Sequence, residues 1–452
     1  MRNNFHKPFL WKVALSILTG LLLYLPFSQH ELWFLIFFAF LILFKIRDSL
    51  FWLLSGFFFF LLSLRCASIA GVEFGGVHWA IFYLLFGPFT LFLSFYQFYL
   101  PLRLWQRFLS RALWSLPLLY VLFELFRSYF PLGGFPWLIL GSLSVYIPLL
   151  RDSLFYANVY FHSLLLLLTS LFLLHRRLKP LLFLWSIFIF LGLFALWDKE
   201  KRIKGAESIR VALVQTGVPQ EDKLNREAFD RHTEGILRLV ETAVSHRVDL
   251  VVLPESALPF FFSENRYENY MLEDLSRRSS ILVGLIDIRE GIRPYNSAYL
   301  FANGLLVDYY DKVKLFPIGE YVPKAFGFLK DLFPAIGGID YVPGEKLKAL
   351  EHRNIRIATP ICFEVAYHDL VKRLSKDANL IAVLTNDGWF KDSDCTHQHY
   401  LWARVRALET AKYLLWVNNS GDTGLIDPYG KVIKRLSYME RGIIFHEVKL
   451  IP

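Results

Sequence analysis

The most constraining feature of this chain is where its apolar residues sit. Up to about Trp197 the sequence is dominated by Leu and Phe in long runs; from Asp198 onward charges, Pro/Gly turns and short alternating segments take over. A bilayer crossing needs about 20 mostly apolar residues. Candidate runs lie near 8–27, 31–46, 49–66, 78–101, 108–127, 153–174 and 180–197, the second and third being short. The first is not read as a cleaved leader, because it lacks a small-residue cleavage site and further spans follow at once. The stretch 128–150 is apolar but broken by Pro and Gly. Irregular backbone cannot face lipid, so this stretch is expected to be re-entrant or interfacial.

Charge refines the picture. Only 20% of residues are charged, below the share of about a quarter in ordinary soluble domains. The net charge of +9 looks like a nucleic-acid signal. Much of the excess, however, lies between apolar runs, at Lys7, Lys45 and Arg47, Arg103 and Arg107, and Arg176-Arg177-Leu-Lys179. Such clusters anchor and orient membrane helices, and no nucleic-acid motif accompanies them, so no nucleic-acid partner is expected. The basic ends alternate consistently with about seven spans and are assigned to the cytoplasm. An odd number of spans places residue 198 onward on the opposite side, which is the periplasm in a two-membrane bacterium. The expected organisation is a transmembrane helical domain over 1–198, a mixed-charge linker over 199–207 and a soluble domain over 208–452.

The soluble part alternates strand and helix signals. Ile209–Gln215 and Val248–Leu253 read as buried strands, 225–247 as a helix, and Asn303-Gly304 as a hairpin turn. Further strands are expected at 281–286, 354–361, 379–385, 413–418 and 442–449, with helices at 267–279, 366–377 and 398–412 and a hairpin at Asp427-Pro-Tyr-Gly430. This pattern predicts a layered α/β domain with mixed sheets.

Three polar residues stand at or near strand ends: Glu255, Lys312 and Cys362. Loops beyond strand ends are where α/β folds place chemistry. A cysteine between a strand and a helix N-terminus is expected to have a lowered pKa, a carboxylate takes its proton, and a lysine stabilises an oxyanion. Taken singly, the bland readings are a buried small hydrophobe and solvated surface charges. Cys66 ends an apolar span and reads as a packing residue, and Cys395 as an incidental thiol. Three cysteines form no disulfide framework and leave at least one thiol free. His397 and His399 lack the ligand set of a metal site and, like Arg404 and Glu409, are read as structural.

Leu253-Pro-Glu255, Tyr310-x-Lys312-x-x-Leu-x-Pro-x-Gly-Glu320 and Ile361-Cys-Phe-Glu364 resemble the three catalytic motifs of the carbon–nitrogen hydrolase (nitrilase) superfamily. Thr385-Asn-Asp-Gly-Trp-Phe390, His397-Gln-His399, Arg404-x-Arg-Ala-Leu-Glu409 and Asn418-Asn-Ser-Gly421 extend the match in order across most of 208–449. With the membrane spans in front and Gly133-Gly-Phe-Pro-Trp137, the whole resembles the bacterial apolipoprotein N-acyltransferase family. The resemblance implies an α-β-β-α sandwich joined to a polytopic helical domain in the bacterial inner membrane, without metal or organic cofactor. It implies transfer of a fatty acyl chain from a phospholipid, through a Cys thioester, to the amino group of an apolipoprotein's N-terminal diacylglyceryl-cysteine. This is the final step of lipoprotein maturation. By position, Glu255 is the general base, Lys312 stabilises the tetrahedral intermediate, Cys362 is the nucleophile, and Glu320 and Glu364 are further acidic groups of the site. A monomer is expected.

Both substrates carry long acyl chains, and each buried methylene contributes roughly 0.8 kcal/mol. The site is therefore expected close to the bilayer. The loops Leu258–Phe262, with Phe260 and Phe261, and 326–336 are expected to be membrane-touching lids, with core packing as their bland alternative. Phe363, Asn386 and Trp389 are expected to line the acyl pocket. Two departures from the family pattern stand out: Phe363 replaces a usual Tyr, and the chain ends at Pro452 without the family's usual last transmembrane helix. Competing readings are a membrane-tethered amidase acting on a small amide with the same triad, and a non-catalytic lipoprotein-binding scaffold.

Overall fold

The computed structural model describes residues 9–131, 133–259, 261–263, 266–289, 293–317, 319–322, 327 and 340–452. The chain divides into two compact units. The first comprises residues 1–68, 77–193 and 393–398; the second comprises 69–76, 194–392 and 399–452.

The apolar runs become seven helices: α1 (Phe9–Tyr24), α2 (Leu35–Lys45), α3 (Ser49–Ser63), α4 (Trp79–Leu109), α5 (Ser115–Arg127), α6 (Val159–Leu174) and α7 (Leu178–Lys204). The helical stretches Phe9–Phe27, Trp79–Leu109 and Leu178–Lys204 are long and apolar enough to cross a membrane; α2, α3 and α6 are shorter apolar helices. The last helix continues to Lys204, into the stretch read from sequence as a linker. Between apolar helices in lipid there is little hydrophobic driving force, so close packing has to hold them. Gly20 shows this: a Cβ there would lie 2.6 Å from Phe58 Cβ and 3.0 Å from Ser55 O, so α1 and α3 meet backbone to backbone.

The broken stretch after α5 is folded inward. Leu138, Ile139, Leu140 and Leu143 are buried. Its backbone finds partners on α5: the Arg127 guanidinium donates to the carbonyls of Phe135 (2.9 Å) and Trp137 (2.8 Å), and Leu140 N donates to Glu124 (2.8 Å). The irregular backbone of this stretch is thus satisfied by two buried ionisable side chains.

Two cysteine expectations are corrected. Cys66 and Cys395, both in the first unit, form a disulfide across 329 positions of sequence, so neither is a mere packing residue or an incidental thiol. The segment around Cys395 is further held by the Tyr24 hydroxyl donating to Asp394 (2.7 Å) and Trp137 Nε1 donating to Gln398 (2.7 Å).

The second unit contains two six-stranded sheets. The first is built from β1 (Ser208–Gln215), β2 (Leu250–Val252), β3 (Ser280–Arg289), β4 (Arg293–Ala302) and β5 (Leu305–Asp311); the second from β6 (Leu350–His352), β7 (Ile355–Ala358), β8 (Leu380–Thr385), β9 (Leu414–Asn418), β10 (Thr423–Ile426) and β11 (Val432–Leu436). The last strand, β12 (Gly442–Lys449), returns to the first sheet and pairs antiparallel with β1. The strand orders are β12-β1-β2-β3-β4-β5 and β11-β10-β9-β8-β7-β6. Strands β1, β2 and β3 run parallel, as do β7, β8 and β9.

The helices are α8 (Gln220–Leu224), α9 (Arg226–Ser245), α10 (Arg266–Leu275), α11 (His368–Leu374) and α12 (Asp394–Thr410). Strands β2, β8 and β9 are buried along their whole length. Such uninterrupted apolar runs mark central strands covered on both faces. On the first sheet Ile236, Val240 and Val244 of α9 join Val251, Leu253 and Val283 in one core. This is the layered sandwich that the strand and helix pattern predicts. Asn303 and Gly304 both have positive φ (55° and 82°), the geometry a two-residue hairpin between β4 and β5 requires. Helix α12 starts at Asp394, four residues earlier than its periodicity suggests.

Candidate active site

The ends of three strands, β2, β5 and β7, carry the three candidate residues. Glu255 follows β2, Lys312 follows β5 and Cys362 follows β7. All three lie in the second unit. Glu255 and Lys312 are buried. Lys312 Nζ donates to Glu255 Oε1 (3.4 Å) and to Glu320 Oε1 (2.8 Å). Asn296 on β4 bridges the same two carboxylates, its Nδ2 donating to Glu255 (2.6 Å) and Glu320 (3.0 Å). Glu320 Oε2 also accepts from Phe316 N (2.7 Å), which ties the loop after β5 onto the cluster. Burial works against the Lys312 ammonium, but the charges of Glu320 and Glu255 more than offset it. Its pKa stands well above the ordinary value, so it is a fixed cation.

Cys362 sits at φ +51°, a left-handed conformation that a side chain adopts only at a cost of about 1–3 kcal/mol. It is the free cysteine of the chain, half-buried. The charges of Glu255, Lys312, Asp387 and Glu320 are all felt at its sulfur. The expected lowering of its pKa is corrected. Burial pushes the thiol well above its ordinary value and the Glu255 charge adds to this, while Lys312 opposes it. The helix that follows is only a 3-10 turn over Cys362–Ala366, too short to supply the dipole the sequence argument relied on. Of the charges that act on this thiol, that of Glu255 is the strongest.

Glu364 gathers hydrogen bonds from the backbone on either side of the site. Its carboxylate accepts from Val313 N (2.7 Å), Lys314 N (2.9 Å), Ile361 N (2.9 Å) and the Tyr310 hydroxyl (3.0 Å). It therefore joins the segment after Lys312 to the segment before Cys362. Burial raises its pKa to about 7, against these backbone N–H groups and the Lys312 charge.

Of the residues expected to line a pocket, Phe363 is buried edge-on against Phe316, with ring centroids 4.9 Å apart. Asn386 is buried and its Nδ2 donates to Gln220 Oε1 (3.1 Å), while its Oδ1 has no hydrogen-bond partner among the described residues. Trp389 packs against Phe74, centroids 5.9 Å apart. Phe261 forms an isolated bridge with Ile286. Phe260 lies outside the described residues, and so does the loop 326–336 apart from Gly327. In the other expected lid, Leu258 is buried and Phe262 stacks on Tyr299 at 4.3 Å. Those two side chains belong to the first sheet's core, the alternative weighed for them from sequence.

The site also contains residues no motif pointed to. Asn296 is one; a polar residue entering the otherwise buried run of β4 was its signal. Lys223 is another, its Nζ donating to Ser256 O (2.7 Å). Asp387, within the Thr385–Phe390 motif, is held by Asn418 Nδ2 (2.7 Å) and His399 Nδ1 (2.7 Å).

Comparison with known proteins fits this geometry. A family model for carbon-nitrogen hydrolases matches residues 210–451, and one for the apolipoprotein N-acyltransferase N-terminal domain matches residues 19–172. The chain is 42% identical over 445 residues to the apolipoprotein N-acyltransferase of Aquifex aeolicus, covering 98% of this chain and 99% of that one. To the apolipoprotein N-acyltransferase of Pseudomonas aeruginosa it is 30% identical over 357 residues, covering 73% and 66%. Among solved structures it is similar to an amidase from Nesterenkonia sp., with a TM-score of 0.41 and 20% identity over 55% of this chain and 92% of the amidase.

Proposed function

The chain belongs to the apolipoprotein N-acyltransferase family, and from that premise we propose that it moves a fatty acyl chain from a membrane phospholipid to the α-amino group of a diacylglyceryl apolipoprotein, through a thioester on Cys362. The observation that carries this reading is a buried carboxylate paired with a buried ammonium, the charges of both acting on one half-buried thiol. In the first half-reaction Glu255 takes the proton from Cys362 as its sulfur attacks the ester carbonyl. The Lys312 ammonium faces the oxygen that becomes negative, in a site where low dielectric strengthens its pull. Collapse breaks the carbon–oxygen bond, and the departing lysophospholipid oxygen takes the proton back from Glu255. In the second half-reaction Glu255 accepts a proton from the acceptor ammonium and passes it to solvent; the amine attacks the thioester, Glu255 takes the second proton from its nitrogen, and that proton goes to the Cys362 sulfur as the carbon–sulfur bond breaks. Splitting the transfer in this way replaces one difficult step with two easier ones. Phe363, beside the nucleophile, offers an apolar ring to the acyl chain.

The reading includes an inner-membrane protein whose second unit faces the periplasm. The basic ends of the apolar helices support that orientation. So does the Cys66–Cys395 disulfide, since such bonds persist in oxidising compartments.

The test is an intact mass measurement after incubation with phosphatidylethanolamine vesicles. Cys362 gains one acyl mass, Cys362→Ser gains none, and a diacylated lipopeptide then removes it. A folded wild-type protein that gains no acyl mass would sink the proposal. Discharge by water but not by the lipopeptide amine would point to a hydrolase instead.

A further inference from the structure

We propose that Lys223 is a positioning residue for the general base, holding the turn that presents Glu255 to Cys362. The inference rests on the reading of Glu255 as that base. The first observation is the short helix α8, Gln220–Leu224. Five residues do not form a stable helix by propensity, so side-chain anchors have to hold it. Two of them reach the site from different directions. Gln220 Oε1 accepts from Asn386 Nδ2 (3.1 Å), in the loop after β8. Lys223 Nζ donates to the carbonyl of Ser256 (2.7 Å), and lies 3.5 Å from that of Glu255, in the turn after β2. A single helical turn therefore braces the base-bearing turn of one sheet and a site loop of the other.

The turn itself needs such a brace. Ser256 has φ +47°, left-handed for a residue with a side chain. On its inner side the turn is held by backbone: Ala257 N donates to Gly284 O (2.8 Å) and Gly284 N to Pro254 O (3.1 Å). Any Cβ at Gly284 would lie 2.6 Å from Glu255 Cα, so β3 lies directly against the base. The side-chain hold on the carbonyls of residues 255 and 256 comes from Lys223.

The charge has a second effect. Lys223 and Glu255 interact electrostatically, and burial lowers the Lys223 pKa to about 7 against the pull of Glu255. The other groups acting on this centre are Lys312, Glu320 and Asn296, bonded as described, the phenol of Tyr341 and the Cys362 sulfur. In its charged form Lys223 is thus a second lysine attracted to the carboxylate.

Cys362 is the free thiol, so iodoacetamide reports on it independently of any lipid substrate. The experiment compares wild type, Lys223→Met and Lys223→Arg in the full-length protein. It measures Cys362 alkylation against pH, kcat and KM for phospholipid-to-lipopeptide transfer, and the melting temperature. Lys223→Met is expected to slow alkylation at neutral pH and kcat by about tenfold or more, leaving KM within about twofold. Its alkylation profile moves to higher pH, and Lys223→Arg recovers most of both rates. Rates within about twofold of wild type in Lys223→Met overturn the proposal. So does a loss that Arg does not rescue and that tracks a lowered melting temperature, which marks a purely structural lysine. If wild type transfers no acyl chain while its alkylation still depends on Lys223, the positioning role stands and the acyltransfer reading falls.

Discussion

Glu364 carries more of the site's geometry than its place beside the nucleophile suggests. Three backbone N–H groups and one phenol converge on it from two segments that are distant in sequence. A charged acceptor contributes about 1.5–3 kcal/mol per such bond, and an unpaired buried donor loses its hydration as well. Glu364→Gln keeps the shape but turns an amide NH2 toward N–H donors. We expect kcat for thioester formation to fall by about a hundredfold with donor KM nearly unchanged, because the loss is in alignment rather than binding. A burst experiment on acyl-enzyme formation checks this, and an unchanged burst rate would remove Glu364 from the scaffold. At this scale the sequence was partly readable. Glu255, Lys312 and Cys362 were legible because each stands at a strand end within a spaced motif. Asn296 and Lys223 were not, because their roles come from contacts 41 and 33 positions away, made only by the fold. The thiol's pKa was misread because sequence shows a helix start but not its length.

Among the elements, α12 braces the nucleophile segment from behind. Arg406 donates to the carbonyls of Val365 (2.7 Å) and Ala366 (2.8 Å), immediately after the Cys362–Glu364 turn. Arg406 is in turn paired with Glu409, which also meets His368 of α11 at 3.0 Å. Burial alone would raise the Glu409 pKa, but the charges of Arg406 and His368 bring it from 4.5 down to about 2. A carboxylate depressed on folding stabilises the native state above its unfolded pKa and loses that contribution as pH falls toward its folded value. The window is thus from 4.5 down to about 2, and the difference is worth roughly 3 kcal/mol. Glu409→Gln should lower stability at neutral pH by up to that order and flatten the acid limb of stability across the window. Denaturant titrations of both proteins at stepped pH read this directly; parallel acid limbs would contradict it. The helix period made α12 legible, and Arg404 and Glu409, read as structural, both lie on it. Its true start was hidden, because residues 394–398 make their contacts in the first unit.

For the molecule as a whole, the crosslink between Cys66 and Cys395 joins the end of the third apolar helix to the start of α12 and closes a chain segment of 329 positions. No sequence pattern announces it, since a pairing over that distance depends on the folded path. Two independent arguments meet at this bond. In the proposed orientation the basic residues at 45–47 put the start of the third apolar run in the cytoplasm and Cys66, beyond its far end, on the opposite side. Disulfides persist in oxidising compartments, which in that proposed orientation is the same side. The bond also restricts the unfolded chain, and native disulfides commonly contribute roughly 2–5 kcal/mol. We therefore expect membranes isolated with a thiol-blocking reagent present to yield a Cys66–Cys395 linked peptide, with only Cys362 blocked. The Cys66→Ser/Cys395→Ser protein should melt several degrees lower than wild type, and a reducing agent should lower the wild-type melting temperature but leave the double variant's unchanged. Blocked Cys66 and Cys395 in freshly isolated membranes would refute the bond, and with it the strongest physical support for a catalytic unit outside the cytoplasm. Because Cys362 is not a member of this pair, its alkylation rate in the double variant separates loss of the crosslink from damage to the site.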